Sequence, residues 1–428
     1  MLFFVIVFVL LLLMLIGVPV AISMGMTAVA SLILQGKASV LTMAAQRMFS
    51  GATGFTLLAV PFFILAGQLM NTSGITERIF RFARAISGHW WGGLGQVNVV
   101  NSIIFAGMSG TAVADAAGFG LIEIKAMNDA GYEKPFSAAI TAASSTIGPI
   151  IPPSVPLVIY ASITSTSVGA MFMAGILPGL LMGLALMAGV YFIARRRNYP
   201  RDPRASLKEV FSSMLHAIPA LICPLIIIGG IGAGKFTPTE AGVVASVYAL
   251  VLGVLIYKEI KIRELPGIFW ETVKQSANVL FIIAIAGFFA WFLNYMRIPQ
   301  MAVAALISLT TAPALLLLIM IGIYLILGCF IEGTAIMYMT LPIFMPIVAR
   351  LGVNPIQFGV VTVLALMIGM ITPPVGVCLY TVSAISGVNF WALSREVLPY
   401  VIGLIIVLLL VTFIPQFTLW IPSLLGYL

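Results

Sequence analysis

Two short interruptions in strongly apolar stretches have the residue types needed to bind an ion. Residues 148–153 read Gly-Pro-Ile-Ile-Pro-Pro, and residues 369–374, which lie 221 positions later, read Gly-Met-Ile-Thr-Pro-Pro. Proline lacks a backbone N–H and glycine weakens a helix, so each pattern predicts a helix break with peptide groups released from the helical ladder. Carbonyl oxygens suit a hard cation such as sodium, and the N-terminus of a half-helix suits an anion.

A small polar segment precedes each break. Residues 109–112 read Ser-Gly-Thr-Ala, and residues 332–335 read Glu-Gly-Thr-Ala. Serine at such a position is often only a packing residue in a membrane helix, but the position of Ser109 and Ser145 at a duplicated break favours a site. The predicted sodium ligands are Ser109, Gly110, Thr111, Ser145, Gly148 and Ile151 for the first site, and Gly333, Thr334, Gly369 and Thr372 for the second.

Charges within the apolar stretches are candidates for binding an anionic substrate. A charge at the centre of a membrane helix costs about 2.5–3.5 kcal/mol on insertion scales, so Asp115, Glu332 and Arg297 each need a reason. Arginine forms bidentate pairs with carboxylates, although an interfacial anchor is an equal alternative for Arg297. The predicted substrate-binding residues are Arg297, Glu332, Ser109, Ser165 and Ser167, the last two having a plain loop as their alternative.

The elements that carry these residues are membrane helices. Hydrophobic residues make up 61% of the 428 residues and charged residues 8%, against about 25% charged in soluble domains. About ten stretches approach the length that spans a bilayer, and we interpret the first, 2–19, as a retained helix rather than a signal peptide. The sequence therefore predicts an all-α polytopic membrane protein.

Several other classes of protein are disfavoured. The net charge of +8 comes from arginines and lysines in short loops, a positive-inside pattern rather than a nucleic-acid surface. The loop 195–204 is most simply a topological anchor, with contact to anionic membrane lipid as a second reading. Three unpaired cysteines and two histidines predict neither a disulfide framework nor a transition-metal site. The same scarcity of acids and bases indicates that the chain is not an enzyme.

The chain divides into two similar halves. Each has two short arms of about 16 residues, about 24 Å long, which is less than the ~30 Å bilayer core. We interpret each pair as a re-entrant hairpin, with two tilted spanning helices as the alternative. The predicted boundaries are 1–195 for the first repeat, 196–213 for a cytoplasmic connection, 214–428 for the second repeat, about 94–127 and 313–350 for the hairpins, and about 136–163 and 356–386 for the broken helices.

The loop charges predict that the halves have opposite orientations. The stretch 75–87 carries three arginines, whereas its counterpart 299–309 carries no charge. Placing the basic loops in the cytoplasm puts both termini outside. We therefore expect two inverted-topology repeats, with both termini on the outer side of the membrane.

Two hairpins, each followed by a helix broken at Pro-Pro, make the chain resemble the large membrane subunit of TRAP (tripartite ATP-independent periplasmic) transporters. Residues 236–241, Phe-Thr-Pro-Thr-Glu-Ala, also resemble a stretch typical of that subunit. The resemblance covers nearly the whole chain. It implies an elevator-type transporter, similar to the ion transporter superfamily, that couples uptake of an organic carboxylate to Na⁺ without another cofactor. The hairpins and broken helices would form the transport domain, and the remaining helices the scaffold.

The same resemblance implies two protein partners, a small four-helix membrane subunit and a periplasmic substrate-binding protein. The nearest likeness is to the sialic-acid branch. The alternative is an ion-coupled anion transporter or exchanger of related architecture that works alone.

Overall fold

The structure, a computed structural model, describes residues 2–310 and 312–428, without the side chains of 2–5, 7, 11, 15, 107–109, 114, 117, 307 and 309. The described chain is built from twenty α-helices and a few short 3₁₀ or π segments. The helices of the first half are α1 Leu2–Leu15, α2 Val20–Leu34, α3 Thr42–Ala52, α4 Ala59–Thr72, α5 Ile75–Ser87, α6 Gly93–Ser109, α7 Ala112–Asp129, α8 Lys134–Ser144, α9 Val155–Thr164 and α10 Val168–Arg197.

The second half runs through a comparable series. Its helices are α11 Leu207–Gly232, α12 Pro238–Val251, α13 Leu265–Tyr295, α14 Ile298–Leu309, α15 Pro313–Phe330, α16 Gly333–Arg350, α17 Pro355–Gly369, α18 Val377–Ser386, α19 Phe390–Phe413 and α20 Gln416–Leu424. A π-helical segment, Leu252–Ile256, extends α12. The prediction of an all-helical polytopic protein is thereby confirmed, whereas the inverted orientation of the halves stays a prediction.

Eight helices in the described residues are long and apolar enough to cross a membrane. That is fewer than the ten or so stretches expected from the sequence. The first predicted span was too long, because α1 stops at Leu15, well short of the 20 or so residues that span a bilayer.

Both broken helices are interrupted at the Pro-Pro pairs. After α8, a short 3₁₀ turn ends at Ile147, and helix resumes only at Val155. In the second half, the gap runs from the end of α17 to Val377. Both Pro-Pro bonds are cis. The Ser154 hydroxyl donates to the Pro149 carbonyl and accepts from the Leu157 N–H at 3.2 Å, so it caps the restarted helix.

The helices pack into two groups. In the first group α4 lies against α12, where the Ser246 hydroxyl donates to the Phe62 carbonyl at 2.9 Å. The same group includes α2, α3 and α13, and a Cβ on Gly51 of α3 would lie 3.3 Å from the Cα of Gly287 in α13. Small residues at such crossings let helix backbones approach closely.

The second group surrounds the broken helices. Helices α10 and α19 pack against each other, and a Cβ on Gly403 would lie 3.9 Å from the Ala185 Cβ. The Gln357 side chain of α17 donates to the Thr412 carbonyl of α19 at 2.8 Å. A Cβ on Gly175 of α10 would overlap the Ile150 carbonyl oxygen at the first break. These contacts place α10 beside the first break and α19 against α10 and the start of α17.

Glycine contacts within α15 generate a stability prediction. A Cβ on Gly328 would lie 3.1 Å from the Leu366 carbonyl oxygen and 3.2 Å from the Cα of Gly369, both backbone atoms of α17. We expect Gly328→Ala to lower the free energy of unfolding by about 1–3 kcal/mol, because one helix must move away from the other. Thermal melting of the purified protein measures the change. Gly322→Ala in the same helix meets no atom within 4 Å and is the matched control; equal melting temperatures for the two variants would contradict the packing.

Candidate functional site

The tip of the first hairpin lies directly against the first break. Helix α6 ends at Ser109, and Gly110 follows with φ = +63°, a conformation that glycine adopts without steric cost. A Cβ on Gly110 would lie 3.0 Å from the Pro153 carbonyl oxygen and 3.5 Å from the Val155 amide nitrogen. Thr111 then begins α7 in extended conformation. The Ser109 side chain, a predicted ligand, lies outside the described residues.

A small polar cavity lies beneath this tip. Its volume is about 10 Å³, which is enough for about one water-sized particle. Oxygen-bearing side chains dominate its lining, and two of them, Asp115 and Glu123, are carboxylates that are at most 4% exposed. The Asn101 amide oxygen has no hydrogen-bond partner in the described structure. The polar lining residues are Asn101, Ser102, Asp115, Glu123, Thr141, Ser144 and Ser145.

The predicted ligands of the first break border this cavity or lie beside it. The Ser145 hydroxyl donates to the Ala142 carbonyl at 2.9 Å, which leaves its lone pairs as acceptors toward the cavity. Gly148 lies so close to Asp115 that a Cβ there would overlap the carboxylate. Ile151 is 8% exposed and packs on Gly179 of α10. Glycine at 148 is therefore required for the approach of Asp115.

Glu123 is the anchor of a buried hydrogen-bond network. Its carboxylate accepts from the side-chain amide of Asn98 at 2.7 Å and from that of Asn101 at 2.6 Å. Asn98 also donates to the Thr141 hydroxyl at 2.8 Å and accepts from the Ser144 hydroxyl at 2.6 Å. The network ties α6, α7 and α8 together. The Glu123 side chain points inward from α7 and is buried.

The second tip and break are joined by backbone hydrogen bonds. The Gly376 amide donates to the Cys329 carbonyl at 2.8 Å, which links the end of α15 to the second gap. Glu332 starts α16, and its carboxylate accepts from the Thr334 hydroxyl at 2.7 Å and from the Ala335 amide at 3.3 Å. Gly333 lies beside Leu366 and Met367 of α17. The second tip therefore covers the second broken helix as the first tip covers the first.

Residues of the second gap are held by local hydrogen bonds. The Thr372 hydroxyl donates to the Ile368 carbonyl at 2.6 Å, and the Thr372 amide donates to the Gly369 carbonyl at 2.9 Å. The Cys378 amide closes the gap by donating to the Met370 carbonyl at 3.0 Å. Both predicted ligands, Gly369 and Thr372, are thus part of the turn that interrupts the helix.

The two halves meet at this place. The Cys378 side chain, just after the second gap, lies beside Ser145 and Asp115 of the first half. On the other side, the Tyr160 hydroxyl of α9 donates to the Pro355 carbonyl at the start of α17, at 2.7 Å. The structure therefore brings the two breaks into one packed unit.

The predicted substrate residues lie in less central positions. Arg297 is exposed, has φ = +55° and precedes α14. Ser165 ends α9 with φ = +56°, and the Ser167 hydroxyl caps α10 by accepting from the Ala170 amide at 3.3 Å. Among the described residues, no ion pair joins Arg297 to Glu332. Their role in substrate binding stays a prediction.

Sequence reasoning missed Asn98, Asn101, Thr141 and Ser144. Asn98 and Asn101 are one turn apart in an apolar arm, so they share a helix face, and that spacing was a readable signal. What it could not indicate was the partner, since Glu123 lies on the other arm of the hairpin. The amides of Asn98 and Asn101 face the Glu123 carboxylate only because the hairpin brings its two arms together.

Comparison with known proteins decides the family. Residues 7–417 match the family model described as "Tripartite ATP-independent periplasmic transporter, DctM component". The chain belongs to this family. It is a membrane transporter permease and not an enzyme, as the sequence predicted.

Individual relatives of this DctM-family permease are similar over most of its length. It is 47% identical over 412 residues to the sialic acid TRAP transporter large permease protein SiaM of Vibrio cholerae, covering 96% of each chain. It is 40% identical to the C4-dicarboxylate TRAP transporter large permease protein DctM of Pseudomonas aeruginosa, covering 94% of each chain. The Haemophilus influenzae sialic acid TRAP transporter permease protein SiaT is 40% identical, and the chain spans 63% of its length.

Solved structures share the fold at low identity. The YdaH transporter of Alcanivorax borkumensis superposes with a TM-score of 0.64 at 14% identity, covering 91% of this chain and 89% of that one. The MtrF structure from Neisseria gonorrhoeae gives a TM-score of 0.55 at 15% identity. Both similarities support the helical transporter fold and nothing finer.

The Glu123 network generates a prediction about stability. We expect Glu123→Ala to lower the free energy of unfolding by about 2 kcal/mol, because the buried Asn101 amide loses the acceptor to which it donates. Thermal melting of the purified permease measures the loss. Asp129→Ala, which removes an exposed carboxylate from the same helix, is the control. If the Glu123→Ala variant had the same melting temperature as the control, the network would contribute nothing to the stability of the fold.

Proposed function

We propose that this permease carries out sodium-coupled uptake of an organic carboxylate across the bacterial inner membrane. The observation that carries the proposal is the pairing of each broken helix with a hairpin tip. Peptide groups released inside a membrane are tolerated where protein buries them or where they line a cavity, and transporters use such breaks to bind ions and substrates.

The first sodium site would lie at the small cavity beneath the first tip. Asp115, Ser145 and the Asn101 amide oxygen supply the oxygen ligands that a hard cation prefers. A cavity of about 10 Å³ has room for a single dehydrated ion but not for a substrate. The predicted ligands Ser109, Gly110, Thr111, Gly148 and Ile151 belong to the same tip and break. A second sodium ion would use Gly333, Thr334, Gly369 and Thr372.

Sialic acid is the substrate we favour. The permease is more similar to the Vibrio cholerae protein named for sialic acid, at 47% identity, than to the Pseudomonas aeruginosa protein named for C4-dicarboxylates, at 40%. Each of these two relatives is matched over at least 94% of its length, so the difference in sequence identity does not come from a difference in coverage. Arg297 and Glu332, with Ser109, Ser165 and Ser167, stay our predicted substrate contacts.

Two partners complete the proposed system, a small four-helix membrane subunit and a periplasmic substrate-binding protein. The family's description names a tripartite periplasmic transporter of which this permease is one component, which supports the existence of two others. From the positive-inside pattern we predict that both termini of the permease lie in the periplasm. A binding protein would then deliver the substrate from that side.

Translocation would move the tips and breaks together. Each tip is held against its break, and the Cys378 side chain joins the second break to Ser145 of the first, so opening a tip alone would dismantle a shared site. Helix α10 contacts the first break, and α19 contacts α10 and α17, so we include these two helices in the moving unit. This differs from the prediction that placed them in the scaffold.

Uptake into proteoliposomes tests the proposed function. We expect labelled sialic acid to accumulate only when the permease is reconstituted with its small subunit and binding protein and an inward sodium gradient is present. Asp115→Asn and Ser145→Ala should each raise the sodium concentration for half-maximal uptake at least tenfold, which corresponds to about 1.4 kcal/mol of lost binding. The controls are Asp129→Asn, on the same helix as Asp115, and Ser137→Ala, on α8, which ends just before Ser145.

Three outcomes would contradict parts of this proposal. Accumulation without a sodium gradient would exclude sodium coupling. Uptake by the permease alone would favour a stand-alone transporter. Wild-type sodium dependence in both site variants would rule out the first sodium site without contradicting the proposed transport function.

The proposed motion predicts the effect of a crosslink. A Cβ on Gly118 of α7 would lie 3.7 Å from the Asn71 side chain of α4, so Gly118→Cys with Asn71→Cys joins the proposed moving unit to the first helix group. In a background with Cys223, Cys329 and Cys378 replaced by alanine, we expect a short bifunctional thiol reagent to stop uptake. Reversal of the crosslink should restore it.

A second pair is the control for crosslinking itself. Ala185→Cys with Gly403→Cys joins α10 to α19 across 3.9 Å, a normal Cβ separation for a disulfide. Since both helices belong to the proposed moving unit, this crosslink should leave uptake intact. Continued uptake by the crosslinked 71–118 pair would argue for local opening of the tips instead of a moving unit.

A further inference from the structure

A second cavity lies at the arginine-rich end of the permease. Its volume is about 680 Å³, and it shares no lining residue with the cavity beneath the first tip. Four segments form its walls: the turn 89–91 between α5 and α6, Gln96 near the start of α6, one side of α10 near its end, and the loop 201–204. It is therefore outside the proposed transport site.

The arginine wall of this cavity is held in a defined position. The Arg201 guanidinium lies over the Trp91 ring, 4.4 Å from its centroid. The Asp202 amide donates to the Gly88 carbonyl at 2.9 Å, and the Asp202 carboxylate accepts two hydrogen bonds from Arg84, at 2.7 and 3.1 Å. Because Arg84 neutralises Asp202, the acid does not cancel the charge of the neighbouring arginines.

The cavity therefore carries an excess of positive charge. Arg201 and Arg204 both line it, and neither takes part in the ion pairs found among the described residues. Guanidinium groups bind phosphate oxygens in bidentate geometry and stack on aromatic rings, as Arg201 does here. These features fit a ligand with a phosphate group.

An apolar surface leads from the membrane interior to these arginines. Leu184, Ala188, Tyr191 and Arg195 are spaced by four, three and four residues on α10, so they lie along one face of the helix. Leu184 is 62% exposed. At the other end of the stripe, Arg195 donates to the Tyr191 hydroxyl at 3.3 Å. A soluble anion would leave this apolar surface uncovered, whereas the acyl chain of a phospholipid would cover it.

We propose that this cavity binds an anionic phospholipid, with the phosphate headgroup at Arg201 and Arg204 and an acyl chain along Leu184 and Ala188. Basic pockets between membrane helices on the cytoplasmic side are suited to anionic lipid headgroups. The arginine-rich end is the cytoplasmic one by the positive-inside pattern. The proposal does not depend on which acid the permease transports.

The bound lipid would hold the loop after α10 at the base of the first hairpin. The Tyr132 hydroxyl, which follows α7, donates to the Pro200 carbonyl at 2.6 Å and accepts from the Leu94 amide at the start of α6 at 3.2 Å. The same loop supplies Arg201 to the cavity. A lipid there would contact the turn 89–91, α10 and this loop at once.

Native mass spectrometry of the delipidated full chain tests the proposal. We expect dioleoyl-phosphatidylglycerol to bind at least tenfold more tightly than dioleoyl-phosphatidylcholine. Arg201→Gln combined with Arg204→Gln should reduce phosphatidylglycerol binding to the phosphatidylcholine level. Lys258→Gln combined with Arg263→Gln, which removes the same charge from another basic loop outside the cavity, should leave it unchanged.

Two further arms separate a lipid from a free phosphate and from a protein partner. Ala188→Trp, which fills the apolar wall, should weaken phosphatidylglycerol binding at least tenfold, and inorganic phosphate at equal concentration should not displace the lipid. Equal phosphatidylglycerol affinity in all variants, or displacement by inorganic phosphate, would overturn the proposal. Loss of the bound lipid when the small membrane subunit is added would also overturn it, because the cavity would then be a protein interface.

Discussion

A peptide group inside a membrane must have a hydrogen-bond partner. In this permease two interrupted helices leave peptide groups without their partners in the helix. Each gap is closed from one side by a hairpin tip and from the other by α10, α19 or the opposite half. Gly376 donates to the Cys329 carbonyl, and Gly110 has no side chain to separate it from the Pro153 carbonyl. The arrangement of the other helices follows from this need to cover the two gaps with protein.

The two halves cover their gaps in the same way but differ in charge. Glu332 occupies the position of Ser109, an offset of 223 residues, and at the same offset Tyr338 stands where the first half has Asp115. Tyr324 likewise corresponds to Asn101, and its hydroxyl lies 3.2 Å from that of Thr340. Buried carboxylates are therefore concentrated beneath the first tip, whereas hydroxyl groups take their place beneath the second. This asymmetry favours the first half as the stronger of the two proposed cation sites.

The arginine-rich ends of the helices have a structural role in addition to their predicted role in orienting the chain in the membrane. Arg197 at the end of α10 bonds to Glu133 at 2.9 Å and to Glu396 at 2.8 Å, which joins α10 to the start of α8 and to α19. Exposed ion pairs of this kind contribute little individually. Together with the Arg84–Asp202 pair and the Tyr132–Pro200 hydrogen bond, they hold the connecting loop against the first hairpin. That loop is then positioned to form a wall of the second cavity.

The sequence by itself determined the helical membrane class, the two breaks, the hairpin arms and the family, because these depend on local composition and on motifs that recur at a fixed offset. Proline and glycine interrupt a helix whatever surrounds it. Only the tertiary structure decided which side chains meet. Glu123 is buried against Asn98 and Asn101 of the other hairpin arm, and α10 packs on the first break. The physical reason is that a membrane helix is apolar on most faces, so its sequence does not show which face contacts protein and which contacts lipid.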